Sequence, residues 1–158
     1  MADVGEVFGG REAEAGEYYL QQCADASEAG YTGYCGNIAA DAVASHYTAY
    51  AESLGASIEW HMNLPAELPM NESEYCAVLG NLVENALKAV KNLPEERRRV
   101  KVISSLLSDA IIGLSVENPF CGSVVLGRNG LPRSDGEEHG IGLMSVQNTV
   151  KRHLREIP

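Results

Sequence analysis

Two asparagines and a lysine share one stripe of the stretch Asn81-Leu82-Val83-Glu84-Asn85-Ala86-Leu87-Lys88-Ala89. At 3.6 residues per turn, Asn81, Asn85 and Lys88 stand at i, i+4 and i+7 on one helix face. Leu79, Leu82, Val83, Ala86, Leu87 and Val90 fill the opposite side and form a core face. A face that merely meets water favours Lys and Glu, whereas Asn in a helix interior costs up to about 0.7 kcal/mol relative to Ala. Two amides one turn apart therefore point to something that needs them. An amide oxygen suits a hydrated magnesium ion, and a lysine suits the phosphates that share it. On spacing alone the alternative is an amphipathic helix with a wet face.

A second motif lies near the C-terminus, at Glu138-His139-Gly140-Ile141-Gly142-Leu143-Met144-Ser145-Val146. Two glycines open a segment in which Leu143, Val146, Val150 and Leu154 recur at helical spacing. Glycine lets a phosphate approach the backbone, and the free N–H groups of a first turn with the positive end of the helix dipole make an anion site. A glycine pair before a helix is common in loops, so its weight comes from its company.

In this order the two motifs resemble the N box and second glycine box of the GHKL ATPases, the superfamily of gyrase, heat-shock chaperone, histidine kinase and mismatch-repair ATP-binding domains. Five ordered blocks narrow the resemblance: Tyr34-Cys35-Gly36-Asn37, Leu79 to Leu87, Val116-Glu117-Asn118-Pro119-Phe120, Gly130-Leu131-Pro132-Arg133-Ser134 and His139-Gly140-Ile141-Gly142-Leu143. They follow one another as in sensor histidine kinases of the quorum-sensing, peptide-responsive type, from about residue 34 to residue 153.

The 158 residues are enough for one domain with its own core. Twelve basic against 22 acidic side chains give a formal charge of −10, which repels a nucleic acid or an anionic membrane surface. Cys23, Cys35, Cys76 and Cys121 are scattered without a C-x-x-C pair, so reduced thiols are expected rather than a disulfide framework or zinc site. No apolar run approaches the roughly 18 residues needed to cross a bilayer. A cytoplasmic domain without direct membrane insertion is the expectation, although full-length relatives of the resembling type are membrane-anchored.

Local patterns predict the elements that position these motifs. Residues 11 to 25 read as a short helix, and Asn37 caps a second that runs to about Leu54 and ends at Gly55. Ser57 to Leu64 sets Ile58, Trp60 and Met62 against Glu59, His61 and Asn63, the period of a half-buried strand. Asn71 with Glu74 resembles a capping box before the motif helix, which runs to about Asn92. Val100 to Leu107 and Ala110 to Glu117 read as a hairpin turning at Ser108-Asp109, and Asn118 to Glu138 as a loop with the composition of a lid. The result is an α+β two-layer sandwich of helices on a mixed sheet, and the resemblance implies the Bergerat ATP-binding fold.

The resemblance also implies roles. Asn85 matches the magnesium ligand and Lys88 supplies charge to the phosphates of ATP. Asn81 occupies the place where gyrase-type relatives hold a glutamate that activates water; an amide takes no proton, so hydrolysis should be poor, as suits a kinase whose nucleophile is a histidine. Asn81 and Lys88 are thus the expected catalytic residues. Asn118 replaces the aspartate that reads adenine, with Pro119 and Phe120 where glycines are usual, a departure shared with the peptide-responsive kinases. His139, Gly140, Ile141, Gly142 and Leu143 would meet the phosphates, and Glu138, where glycine is usual, weakens that contact unless it points to solvent. Glu84 is either a further polar contributor or a surface residue.

His46 lacks the acidic neighbour and basic run of a phosphoacceptor and reads as a core-edge or surface residue; His61 reads as exposed, and His153 as part of a basic helix end. Residues 1–33 are expected to be a remnant of the helical dimerisation region and linker. Residues 34–158 are expected to form the catalytic domain, without the last two strands that the resemblance implies. The expected partners are ATP, the histidine-bearing dimerisation helix of a kinase and, through it, a response regulator. An anti-sigma serine kinase, normally with Glu and Asp at positions 81 and 118, and a non-catalytic nucleotide-binding or interaction remnant are the alternatives.

Overall fold

Asn37 opens helix α1 (Ile38–Ser53) by accepting the Ala40 backbone N–H on its side-chain oxygen. The computed structural model describes residues 33–123, 125–128, 130 and 141–156, of which 141–145, 155 and 156 are described by backbone alone. The expected helix at 11–25, the motif residues His139 and Gly140, and Glu138 lie outside the described residues. So does most of the expected lid. Gly55, at φ 64°, ends α1 in a conformation that L side chains rarely adopt.

Strand β1 (Ser57–Asn63) alternates as its sequence requires, with Ile58, Trp60 and Met62 half-buried against the helices and Glu59, His61 and Asn63 exposed. Helix α2 (Glu72–Val90) follows, capped by Asn71, whose side chain accepts the Glu74 N–H at 3.1 Å. A short 3-10 turn, Glu95–Arg97, leads into β2 (Arg99–Ser108) and β3 (Ile111–Glu117). The hairpin turns at Asp109 and Ala110, one residue later than the sequence pattern indicates. Helix α3 (Ile141–Glu156) carries the second motif.

The sheet is mixed in the order β1-β2-β3, parallel between the first pair and antiparallel between the second. Its register places Trp60 opposite Val102 and Val102 opposite Val116, so one apolar face runs across all three strands. The described helices pack on that face, which makes the fold the expected α+β arrangement. The core lies between this face and the buried stripes of α1 (Ala39, Ala40, Val43, Tyr47, Ala51) and α2 (Leu79, Val83, Ala86, Leu87, Val90). Alanine lets the two helix backbones approach closely, since it adds little volume between them.

Polar contacts fix how the motif helix is held. Fully buried Asn37 donates to Ala66 O (2.9 Å) and Glu72 Oε1 (2.5 Å), tying the start of α1 to the start of α2. Gly36 N–H donates to Leu64 O, and a Cβ at Gly36 would stand 2.8 Å from that oxygen, too close for any other residue without a shift. Tyr75 on α2 donates to Ser104 Oγ (2.8 Å), and Ser104 donates to Gly113 O (3.0 Å), a buried relay joining helix, central strand and edge strand. Arg98 bridges Leu93 O and Leu54 O, each at 2.8 Å, and so closes the other end of the α2 to β2 connection onto α1.

Candidate functional site

Helix α2 presents Asn81, Asn85 and Lys88 half-buried, on the face opposite Leu79, Val83 and Leu87, as the 3.6 period demands. Asn85 is the chemically unusual member. Its Nδ2 is buried and has no hydrogen-bond partner, the single such side-chain atom among the described residues. An unsatisfied buried donor costs about 1–3 kcal/mol, so its retention here has no return in stability. A half-turn of the amide exchanges oxygen for nitrogen at one place, which lets it serve either a cation or a phosphate oxygen.

Lys88 Nζ lies 2.9 Å from Glu84 Oε1, an i,i+4 pair that gives Glu84 a definite contact. The sequence carries this signal directly, in Glu placed one turn before Lys. Among the described residues no cluster of three or more His, Cys, Asp or Glu could hold a metal ion. Within the described stripe the Asn85 amide oxygen is the ligand that suits a hard cation, and magnesium completes such a shell with water and an anionic ligand. The donor set fits a magnesium nucleotide and does not fit a structural metal.

Helix α3, on which the second motif continues, pairs with α2. Glu74, in the first turn of α2, takes a salt bridge from Arg152 and a 2.7 Å contact from His153 Nε2, both near the end of α3. The helices therefore run antiparallel. Val78 and Leu82 of α2 line a cavity of about 520 Å³ together with Val146, Thr149 and Val150 of α3, which agrees with that pairing. Glu74 to Asn85 and Gly142 to His153 both span eleven residues. At 1.5 Å per residue each is a rise of roughly 16 Å, so Asn85 and the first turn of α3, with Ile141, Gly142 and Leu143, lie at equal distances along their own helices from the Glu74 contact. Glu74 is the long-range contact that sequence reading misses. It reads as one half of a capping box, but the hydrogen bonds of its carboxylate go to α3.

Asn118 lies directly after β3, with its Nδ2 donating to Pro119 O at 2.9 Å. It borders a groove of about 360 Å³ with Ser57, Glu59, Arg99, Lys101 and Glu117. Glu59 faces Lys101 and Lys101 faces Glu117 across the strands, an alternating charge row. His61 beside Glu59 holds that carboxyl below its ordinary 4.5. His46 is half-buried and packs edge-on against Tyr47 at 5.0 Å, in line with a core-edge residue.

A family model described as GHKL domain matches residues 70–157, more than half of the chain. The chain belongs to the GHKL domain family. The match begins just before the Asn71 cap and takes in the asparagine stripe, the hairpin, Asn118 and the glycine segment, so every candidate site residue falls inside it. Comparison with curated proteins and comparison with solved structures gave no match. GHKL membership makes this an α+β domain of an ATP-binding family of ATPases and kinases. Among the described residues no helix is long and apolar enough to cross a membrane, and Cys35, Cys76 and Cys121 are not in disulfides.

Proposed function

We propose that this domain binds magnesium ATP between the polar stripe of α2 and the first turn of α3, as the ATP-binding catalytic domain of a two-component histidine kinase. The observation that carries the reading is the buried, unpartnered Asn85 amide, on a helix that Glu74 ties to the glycine-bearing α3. Asn85 would offer its amide oxygen to the metal, and Lys88, pivoting from Glu84, would meet the phosphates. Gly140 and Gly142 would bring backbone N–H groups to the same phosphates, flanked by His139, Ile141 and Leu143. Asn118 would accept the adenine amine on its free carbonyl oxygen. Magnesium, when bound, neutralises phosphate charge and so favours transfer of the γ-phosphoryl group.

The kinase reading is finer than the family and rests on Asn81. An amide at that position has no basic site at neutral pH, so it can orient a group but cannot deprotonate water. Transfer to a histidine imidazole, itself a nucleophile, needs no such base. The acceptor would come from a histidine-bearing dimerisation helix, with a response regulator downstream, in the cytoplasm. Calorimetric titration with ATP, with and without magnesium, tests the binding, and labelled ATP with a supplied histidine helix tests the transfer. Binding without transfer would favour a non-catalytic nucleotide module.

A further inference from the structure

We infer that Glu74 is a positioning residue for phosphate binding, acting about 16 Å away by setting the height of α3 against α2. The inference rests on the ATP reading above. The two oxygens of this carboxylate are divided, Oε1 to Arg152 Nη2 and Oε2 to His153 Nε2. Contacts of this kind have a preferred direction as well as strength, because donor and acceptor must align.

Beside this pair, α3 leaves apolar surface open. Val150 is 47% exposed and Leu154 61% exposed, and both line a cavity shared with Leu82 and with Ile112 and Leu114 of β3. Thr149 is the buried contact in between. A slip of one residue along α2 moves the first turn of α3 by about 1.5 Å. Displacement by an ångström is enough to spoil hydrogen bonds from backbone N–H groups to a phosphate, whose useful range is only about 2.7–3.2 Å. The Glu74 grip sits at the end of α3 remote from that first turn, so it sets register without touching the ligand.

The test is Glu74→Gln in the full chain, which keeps the side-chain length and the backbone N–H that Asn71 caps. Titration calorimetry should show magnesium ATP weakened about three- to tenfold, adenosine changed less than twofold, and thermal unfolding nearly unchanged. Arg152→Gln should reproduce part of the loss, and the double variant should lose no more than Glu74→Gln alone. Equal losses for ATP and adenosine, or a loss that follows unfolding, would make Glu74 merely structural. Unchanged ATP affinity in Glu74→Gln would overturn the positioning role and leave the ATP reading standing. A wild-type chain that binds no ATP would overturn the ATP reading first and the positioning role with it.

Discussion

Lys88 and Glu84 face each other across one turn of α2, with Nζ 2.9 Å from the carboxylate and both side chains about two-fifths exposed. An exposed pair of this spacing contributes only about 0.3–0.5 kcal/mol, so the lysine is lightly held and can leave for a stronger anion. Glu84 and a bound phosphate thus compete for the same cation.

Glu84→Gln should therefore tighten magnesium ATP by about twofold at most, and should change folding stability by no more than about 0.5 kcal/mol. Lys88→Ala should weaken ATP about tenfold or more, since it removes a charge-assisted contact. Parallel calorimetric titrations and urea unfolding check both. ATP affinity that is indifferent to Lys88→Ala would place the phosphates elsewhere.

Asn85→Ala separates function from stability. It deletes an amide whose nitrogen is buried without a partner and puts the best helix former in a helix interior. The variant should be as stable as the wild type or up to about 1 kcal/mol more stable, while losing the magnesium dependence of ATP binding. Urea unfolding without ligand, beside titrations with and without magnesium, measures the two effects. A destabilised variant would mean that the amide has a structural role in the fold.

The α2 stripe, the inner-face alternation of β1 and the caps at Asn37 and Asn71 were legible because each is set by chemistry within a few residues. Long-range contacts were not. Glu74 looks like a capping-box acid in the sequence, and nothing local reveals Arg152 and His153, 78 and 79 residues away. The same limit hides the second task of Asn37, which reaches Ala66 and Glu72, and the relay from Tyr75 through Ser104. Val150 and Leu154 share the helical period of core residues, yet both stay exposed because the cavity beside them is unfilled. For the site, the residue types were readable, while the pairing of α2 with α3 through Glu74 required the fold.

Two buried acids predict how the fold responds to alkali. Burial, reinforced by nearby Asp41 against a hydrogen bond to Asn37 O, pushes the Cys35 thiol above its ordinary 9.0. Burial likewise raises the Tyr75 phenol well above 10.0, with Cys35 and Cys76 adding to the effect and the bond to Ser104 opposing it. Both groups fold in the protonated form, so the unfolded chain releases its protons first as pH rises. Their contribution is complete below about pH 9 and is lost as pH climbs through the unfolded values toward the higher folded ones. Stability by urea unfolding should fall by about 1–2 kcal/mol between pH 8 and 10.5. Tyr75→Phe should cost about 1 kcal/mol at pH 7 and flatten that slope. An unchanged slope in the variant would assign the alkaline loss to other groups.

Asn118 offers the sharpest test of how the base would be read. Its Nδ2 is already engaged by Pro119 O, which leaves the amide's carbonyl oxygen as the end able to accept a hydrogen bond. Adenine presents an exocyclic amine to such an acceptor, whereas hypoxanthine presents a carbonyl oxygen at the same position and would face Asn118 acceptor to acceptor. The domain should therefore prefer ATP to inosine triphosphate, by about fivefold for one neutral hydrogen bond. Asn118→Ala should erase that preference mainly by weakening ATP, with the inosine nucleotide little affected. Competition titrations with both nucleotides on both proteins measure the ratio directly. If ATP and inosine triphosphate weaken together, Asn118 acts only by holding the turn at Pro119, and adenine is read by another residue.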